Sequence, residues 1–397
     1  MSDPTEMFGR GVPQARHRRR PRRVAVVLLA GVAVMAVAGS AVAVSLVGGN
    51  AKDTPAPALA GASAAGPSAA SPDVPNPGAG PSRKVTALPS PGATPVKPVA
   101  APRAGWVPVD RAAWQKQVAT YQARKVDPVP AGVGDLPEFR ADCEFSHRRA
   151  DDPIVFPGLP GASHMHSFHG NKGLDAGTTA GDLMKFTAST CKPAQDHSAY
   201  WVPTLYDNAT GAPVETTGFR VYYRSLRRDS SDVMPMPNGL RLIAGDAKKK
   251  VPTPRGAQGQ FYCAFYGPGD LDGVARSTNG NWPICGKPAT LHFMLQFPDC
   301  WDGKHLDSPS HKDHVAYGDE KRCPSTHPVR IPAITFDIQY GVKGTRAGYY
   351  LSSDPQGKSA SSMHGDAFVM WDADAMNKRT KNCVRERRTC DNDGYYS

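Results

Sequence analysis

No two of the eight cysteines in this chain stand in a Cys-x-x-Cys spacing. Zinc–thiolate sites normally use such tight pairs, so that chemistry is disfavoured. Also absent are Gly-x-Ser-x-Gly, a Walker loop, a dinucleotide-binding glycine fingerprint and His-Glu-x-x-His, which disfavours the commonest serine-hydrolase, nucleotide-binding and zinc-peptidase readings. Asp391-Asn392-Asp393-Gly394 opens like a calcium loop but lacks the Glu that should follow, so it is rejected as one. There is no internal repeat and no alternation of strands with long helical segments, which argues against a parallel α/β sheet.

Charge of one sign is scarce in the bulk of the chain. The formal net charge is +11, but residues 1–23 carry +5 and residues 48–104 carry +3, leaving +3 for the rest. A polyanion-binding surface loses its main support, and no nucleic-acid partner is expected.

Residues 24–47 contain no charge at all. That run is longer than the ~7–15 residues of a signal-peptide core and long enough for a bilayer, which takes about 20. The basic flank 1–23 stays inside by the positive-inside rule, so the C-terminal bulk is exported. Ala41-Val42-Ala43 has the small-x-small pattern of a leader-cleavage site. A single-pass anchor holding the bulk on the extracellular side and a cleaved leader releasing a secreted product therefore both stand. Residues 48–104 are Ala, Pro, Gly and Ser with almost no large apolar side chain, a composition that stays extended as a tether. Residues 105–397, 293 in all, are left for one extracellular globular domain.

All eight cysteines fall in that last part. An even number dispersed behind an export signal reads as four disulfides. Short loops close at low entropic cost, so pairing is expected to run sequentially, with Cys300–Cys323 and Cys383–Cys390 the firmest. Cysteine catalysis is disfavoured if all are bridged.

One helix is expected, Asp110 to Lys125, with Asp110 as cap and Trp114, Val118 and Tyr121 as its apolar stripe. Thereafter the pattern is of strands: 219–223, 260–265, 291–297 and 334–340 alternate, with Gly and Pro clusters between them. The fold class expected is mainly β, an antiparallel β-sandwich or jelly-roll-like domain with long disulfide-tied loops and one N-terminal helix.

Chemically capable side chains concentrate in three places. Ser163-His164-Met165-His166-Ser167-Phe168-His169-Gly170 packs three histidines into six positions; if extended, it puts His164 and His166 on one face. The stretch from Cys300 to His314 holds Asp302, His305, Asp307, His311, Asp313 and His314, with Cys323 and His327 following; its turn chemistry argues for a loop, where sites are usually built. The third is His364-Gly365-Asp366. Imidazoles and carboxylates from separate segments are what one divalent ion, zinc or copper, would use. Against that, His-x-His serves as ordinary hydrogen-bonding structure as readily as it binds metal. His292 and His305 read as a strand side chain and a solvated one. Phe219, Tyr222 and Tyr223 read as packing more than as a sugar-stacking surface.

Several ordered motifs together resemble a family of secreted bacterial and fungal proteins classified only as a domain of unknown function. They are Asp152-Pro153-Ile154-Val155, His164-Met165-His166 with Phe168 and Gly170, Tyr200-Trp201-Val202-Pro203, Cys300-Trp301-Asp302-Gly303, His311, His314, His327-Pro328-Val329 and His364-Gly365-Asp366. The resemblance runs from about Phe139 to Trp371. It implies secretion and one histidine-rich domain, and it supplies no reaction.

Two functions from different classes follow. One is an extracellular enzyme with a His/Asp-rich site, metal-dependent or acid–base, acting on a polysaccharide or other cell-wall polymer. The other is a non-catalytic wall-binding or metal-sequestering module. For the enzyme, His164, His166 and His314 are the expected metal ligands, and His311, His327, His364, Asp302, Asp307 and Asp366 the expected acid–base groups. Convergence into one pocket discriminates the two.

Overall fold

The computed structural model describes residues 105–251, 253, 259–264, 274–319 and 321–397. The basic flank, the apolar run and the tether read from the sequence lie outside the described residues. No helix among those described is long and apolar enough to cross a membrane.

The first helix among the described residues is α1 (Arg111–Ala123), whose first turn is closed by Asp110 accepting from the Ala113 N–H at 3.0 Å. Tyr121 is its buried anchor, its hydroxyl donating to the Val233 carbonyl at 2.6 Å, and Trp114 meets Trp301 edge-on. Asp110→Ala is expected to cost about 1 kcal/mol, the usual worth of a single side-chain cap, with fraying confined to this helix. A urea midpoint unchanged from wild type would overturn that assignment.

Eleven strands then build two sheets: β1 (Glu138–Cys143), β2 (Phe145–Arg149), β3 (His166–Gly170), β4 (Cys191–Lys192), β5 (Ala199–Pro203), β6 (Thr216–Arg224), β7 (Arg241–Gly245), β8 (Gln260–Cys263), β9 (Leu291–Gln296), β10 (Ala333–Tyr340) and β11 (His364–Phe368). The six-stranded sheet has the order β8-β9-β10-β6-β1-β4 and the five-stranded one β2-β3-β5-β11-β7. Every pairing within them is antiparallel.

Alternation decides which side chains meet between the sheets. Phe219, Val221, Leu291, Phe293, Leu295, Phe336 and Ile338 from the larger sheet share one buried cluster with Tyr200, Val202, Leu242, Ala244 and Ala367 from the smaller. The sheets approach tightly at Gly365, where a Cβ would stand 2.8 Å from Leu295 and 2.9 Å from Phe336. Only a residue without a side chain lets the two sheets approach there. The next residues along β11, His364, Asp366 and Phe368, consequently face away from the sandwich core. Phe368 joins Ile154, Phe168, Leu174, Leu183 and Trp201 in a second buried cluster on that outer side.

Four disulfides, Cys143–Cys191, Cys263–Cys285, Cys300–Cys323 and Cys383–Cys390, give the sequential pairing, and no described cysteine is free. That framework fits an extracellular or secreted protein. The Cys300–Cys323 bridge closes the second histidine-rich segment into a loop. Beneath it, the buried Arg227 guanidinium meets Asp299 at 2.9 Å and donates to the Asp319 carbonyl at 2.6 Å. Short helices Ala180–Lys185 and Ala373–Arg379 complete the described elements of regular helix longer than one turn, the latter running into a π-helical turn at Thr380–Arg385.

Candidate metal centre

Two chain segments deliver three imidazoles to the outer face of the five-stranded sheet. His166 is the first residue of β3 and pairs with Pro203 of β5; β5 in turn pairs with β11, where Trp201 faces Asp366. His164 lies two residues before His166, on the same side of the extended chain. The ring centroids stand 4.2 Å apart for His164–His166, 5.0 Å for His164–His364 and 5.8 Å for His166–His364. One nitrogen from each lies within 4.8 Å of the other two. An overlapping set, Asp152, His166 and Asp366, meets the same spacing.

Hydrogen bonding fixes which nitrogens are available. His166 Nδ1 contacts the Asp151 carbonyl at 2.9 Å, and His364 Nδ1 contacts the Ser362 carbonyl at 2.8 Å. A carbonyl only accepts, so each Nδ1 carries the proton and each Nε2 holds a lone pair. The Nε2 atoms of His164 and His166 are buried and meet no partner among the described residues. This is the arrangement in which a ligating histidine has its tautomer set by a backbone carbonyl.

The electrostatics agree. Burial lowers His164, His166 and His364 to about 3, and each also feels a neighbouring member of the trio. All three are neutral, the form that ligates. Asp366 is 1 % exposed, its Oδ2 has no partner, and burial followed by the nearby Asp152 lifts it well above the carboxylate range. Asp152 is raised by burial too, although its Oδ1 accepts from the Ile154 and Val155 N–H groups, both at 2.9 Å. Two acids crowded against three lone pairs, all buried or half-buried, are costly as they stand. These groups can hold a metal ion, which would offset that cost.

The third imidazole grouped with His164 and His166 is that of His364, where His314 was expected. His314 is fully buried with both nitrogens occupied, Nδ1 by the Ser308 hydroxyl at 3.1 Å and Nε2 by the Arg241 carbonyl at 2.7 Å. His364 and Asp366, read as acid–base groups, sit among the metal-competent donors. His327 stands apart as well, Nε2 on the Asp313 carbonyl at 3.0 Å and Nδ1 on Thr326 Oγ1 at 2.9 Å. Asp302 organises its own turn, accepting from the Lys304 and His305 N–H groups and meeting His305 Nδ1 at 2.5 Å. Of the six expected histidines, His164, His166 and His364 form a trio, while His311, His314 and His327 lie in the loop closed by Cys300–Cys323 or just beyond it.

Within that loop His311 and Asp307 do pair. His311 Nδ1 lies 3.0 and 3.1 Å from the two Asp307 oxygens, and Arg241 on β7 reaches the same carboxylate at 3.0 Å. Burial works to raise Asp307, but the His311 and Arg241 contacts outweigh it and hold the carboxyl below its ordinary value. Sequence reasoning missed Asp152 as a site residue, because Asp before Pro reads as turn chemistry. A third spacing match, Cys143, Cys191 and Asp196, offers no thiolate, since the two sulfurs are bonded to each other.

Residues 152–371 match the model of a family described as a domain of unknown function, DUF1996. No curated protein matches the chain, and no solved structure does.

Proposed function

We propose, for a chain that belongs to the DUF1996 family, that it is an extracellular metal-dependent hydrolase in which His164, His166 and His364 hold one divalent ion, zinc first and copper second. The observation that carries this is the convergence of three neutral imidazoles beside Asp366, a buried acid whose Oδ2 has no partner among the described residues. Three protein ligands with a remaining position is the pattern of catalytic zinc sites, whereas closed structural sites use four.

The chemistry favours acyl groups on a polysaccharide over glycosidic bonds. A Lewis acid polarises a carbonyl oxygen, which an ester or amide substituent supplies. Glycosidic hydrolysis commonly relies on two carboxylates flanking the sugar. Asp152 and Asp366 are 4 % and 1 % exposed, too enclosed to admit a sugar ring between them. A wall polymer as substrate accords with the disulfide framework and with the tether read from the sequence.

The full chain, purified without chelator or affinity-tag histidines, should carry about one equivalent of zinc or copper, as expected of a single high-affinity site. The loaded protein should release acetate from acetylated wall polysaccharides, lose that activity to a chelator and regain it with the ion. Failure to take up a divalent ion stoichiometrically in calorimetry would sink the metal centre. Tight binding without release of any acyl group would instead make the domain a metal-sequestering module.

A further inference from the structure

We propose that His311, aligned by Asp307, is the proton-transfer residue of this centre, an inference that rests on the hydrolase reading above. The loop closed by Cys300–Cys323 carries two consecutive residues, His311 and Lys312, and reaches the strand that pairs with β11. His311 acts electrostatically on Asp152, and Asp307 acts on it with opposite sign. Lys312, its Nζ 2.8 Å from the Gly245 carbonyl, acts on both His364 and Asp366. Gly245 is the register partner of His364 across β7 and β11. The Lys312–Gly245 hydrogen bond thus ties the tip of the loop to the strand beside His364.

Within the loop, one imidazole nitrogen is committed and the other is not. Asp307, 2 % exposed, takes the Ser308 N–H at 2.8 Å, Arg241 at 3.0 Å and His311 Nδ1 on both oxygens. With Nδ1 held on a carboxylate, Nε2 is the nitrogen that exchanges protons, and no hydrogen bond from the described residues engages it. His311 sits at φ 57°, a left-handed conformation uncommon for a non-glycine residue, braced by its N–H on the Ser308 carbonyl at 2.9 Å. The loop's other His–Asp pair, His305 with Asp302, has its ring against Trp106 at 4.5 Å.

The step balances without an outside reagent. Water adds its oxygen to the acyl carbon and gives a proton to His311 Nε2. The bond from that carbon to the polymer oxygen then breaks, its electron pair stays on the oxygen, and the oxygen takes the proton from His311. Imidazole ends as it began, and Asp307, which touches neither water nor substrate, is a positioning residue.

Two measurements on the full-length, zinc-loaded protein test this. In the first, His311→Gln should keep zinc affinity within about threefold, keep KM and lower kcat for acyl release by roughly 10²–10⁴-fold, the usual span for a proton-transfer group. Asp307→Asn should lower kcat by a smaller factor, again with KM held. Full turnover by His311→Gln overturns the proposal. In the second, which needs no substrate, diethyl pyrocarbonate should modify His311 faster than any other histidine of residues 105–397, and Asp307→Asn should slow it at least fivefold, a rough threshold for loss of base alignment. An unreactive His311, or a rate indifferent to Asp307→Asn, overturns the pair. If wild type releases no acyl group, the hydrolase reading fails, and the second measurement still decides whether the pair exists.

Discussion

His166→Ala is expected to weaken zinc binding by about 10³-fold, since a site worth on the order of 10–16 kcal/mol is shared among three or four ligands. His364→Ala should do the same. His314→Ala and His327→Ala, whose nitrogens are occupied by Ser308, Arg241, Thr326 and Asp313, should stay within about threefold of wild type. His166 is fully buried, so its alanine variant risks a cavity. His164→Ala removes a half-buried ring and keeps the test independent of folding. Asp366→Asn should weaken binding by roughly 10–100-fold as a neighbour or an additional ligand, while stabilising the metal-free protein by removing a buried, unpartnered acid. Calorimetric titration of the six variants separates this ligand set from the one containing His314, which predicts the opposite ranking of His314 and His364.

The strands were the legible part of the fold, for a simple reason. Alternation at 219–223, 291–297 and 334–340 falls within or across β6, β9 and β10 because one face of each is buried in the sandwich. Helix α1 is two residues shorter at its C-terminal end than the expected Lys125, the chain turning extended at Arg124, an ordinary uncertainty at a helix end. What alternation does not carry is which strands lie side by side. His166 and His364 meet only because β3 and β11 both pair with β5, a contact across 198 residues of chain that no local pattern encodes.

Residue type announced the site but not its membership. His164, His166 and His364 were visible as turn-flanked imidazoles, and so were His311, His314 and His327. The difference lies in where each ring nitrogen goes. Carbonyls of β7 and the loop, with two hydroxyls, consume both nitrogens of His314 and His327, whereas carbonyls at Asp151 and Ser362 consume only one nitrogen of His166 and His364. Hydrogen-bond partners of that kind come from distant backbone, so composition and spacing cannot supply them. Asp152 was hidden for the complementary reason: its turn does accept two N–H groups, as Asp turns do, and only the fold brings its side chain within reach of His166.

The histidine left out of the site carries the second large expectation. His169 is fully buried on the opposite face of β3, stacked on Phe219 at 4.0 Å between ring centroids, with Nδ1 on the Cys143 carbonyl at 3.3 Å and Nε2 without a partner. Burial lowers it from 6.5 to about 3. A base depressed by folding contributes stability that is complete above its unfolded pKa and is lost as pH falls toward its folded one, because only the unfolded chain takes up the proton in between. By about pH 5 the unfolded imidazole has gained roughly 1.5 units of driving force, which is about 2 kcal/mol, and this figure holds for any folded pKa well below 5. His169→Phe keeps the stack on Phe219 and has nothing to protonate. Its stability at neutral pH can shift either way with the fit of the larger ring, so the slope is the readout. Urea denaturation from about pH 7 to pH 5 should show wild type losing about 2 kcal/mol more than His169→Phe, the other buried histidines contributing equally to both. Parallel curves across that range would mean that His169 already carries its proton in the folded protein, or that the fold opens to water at this strand.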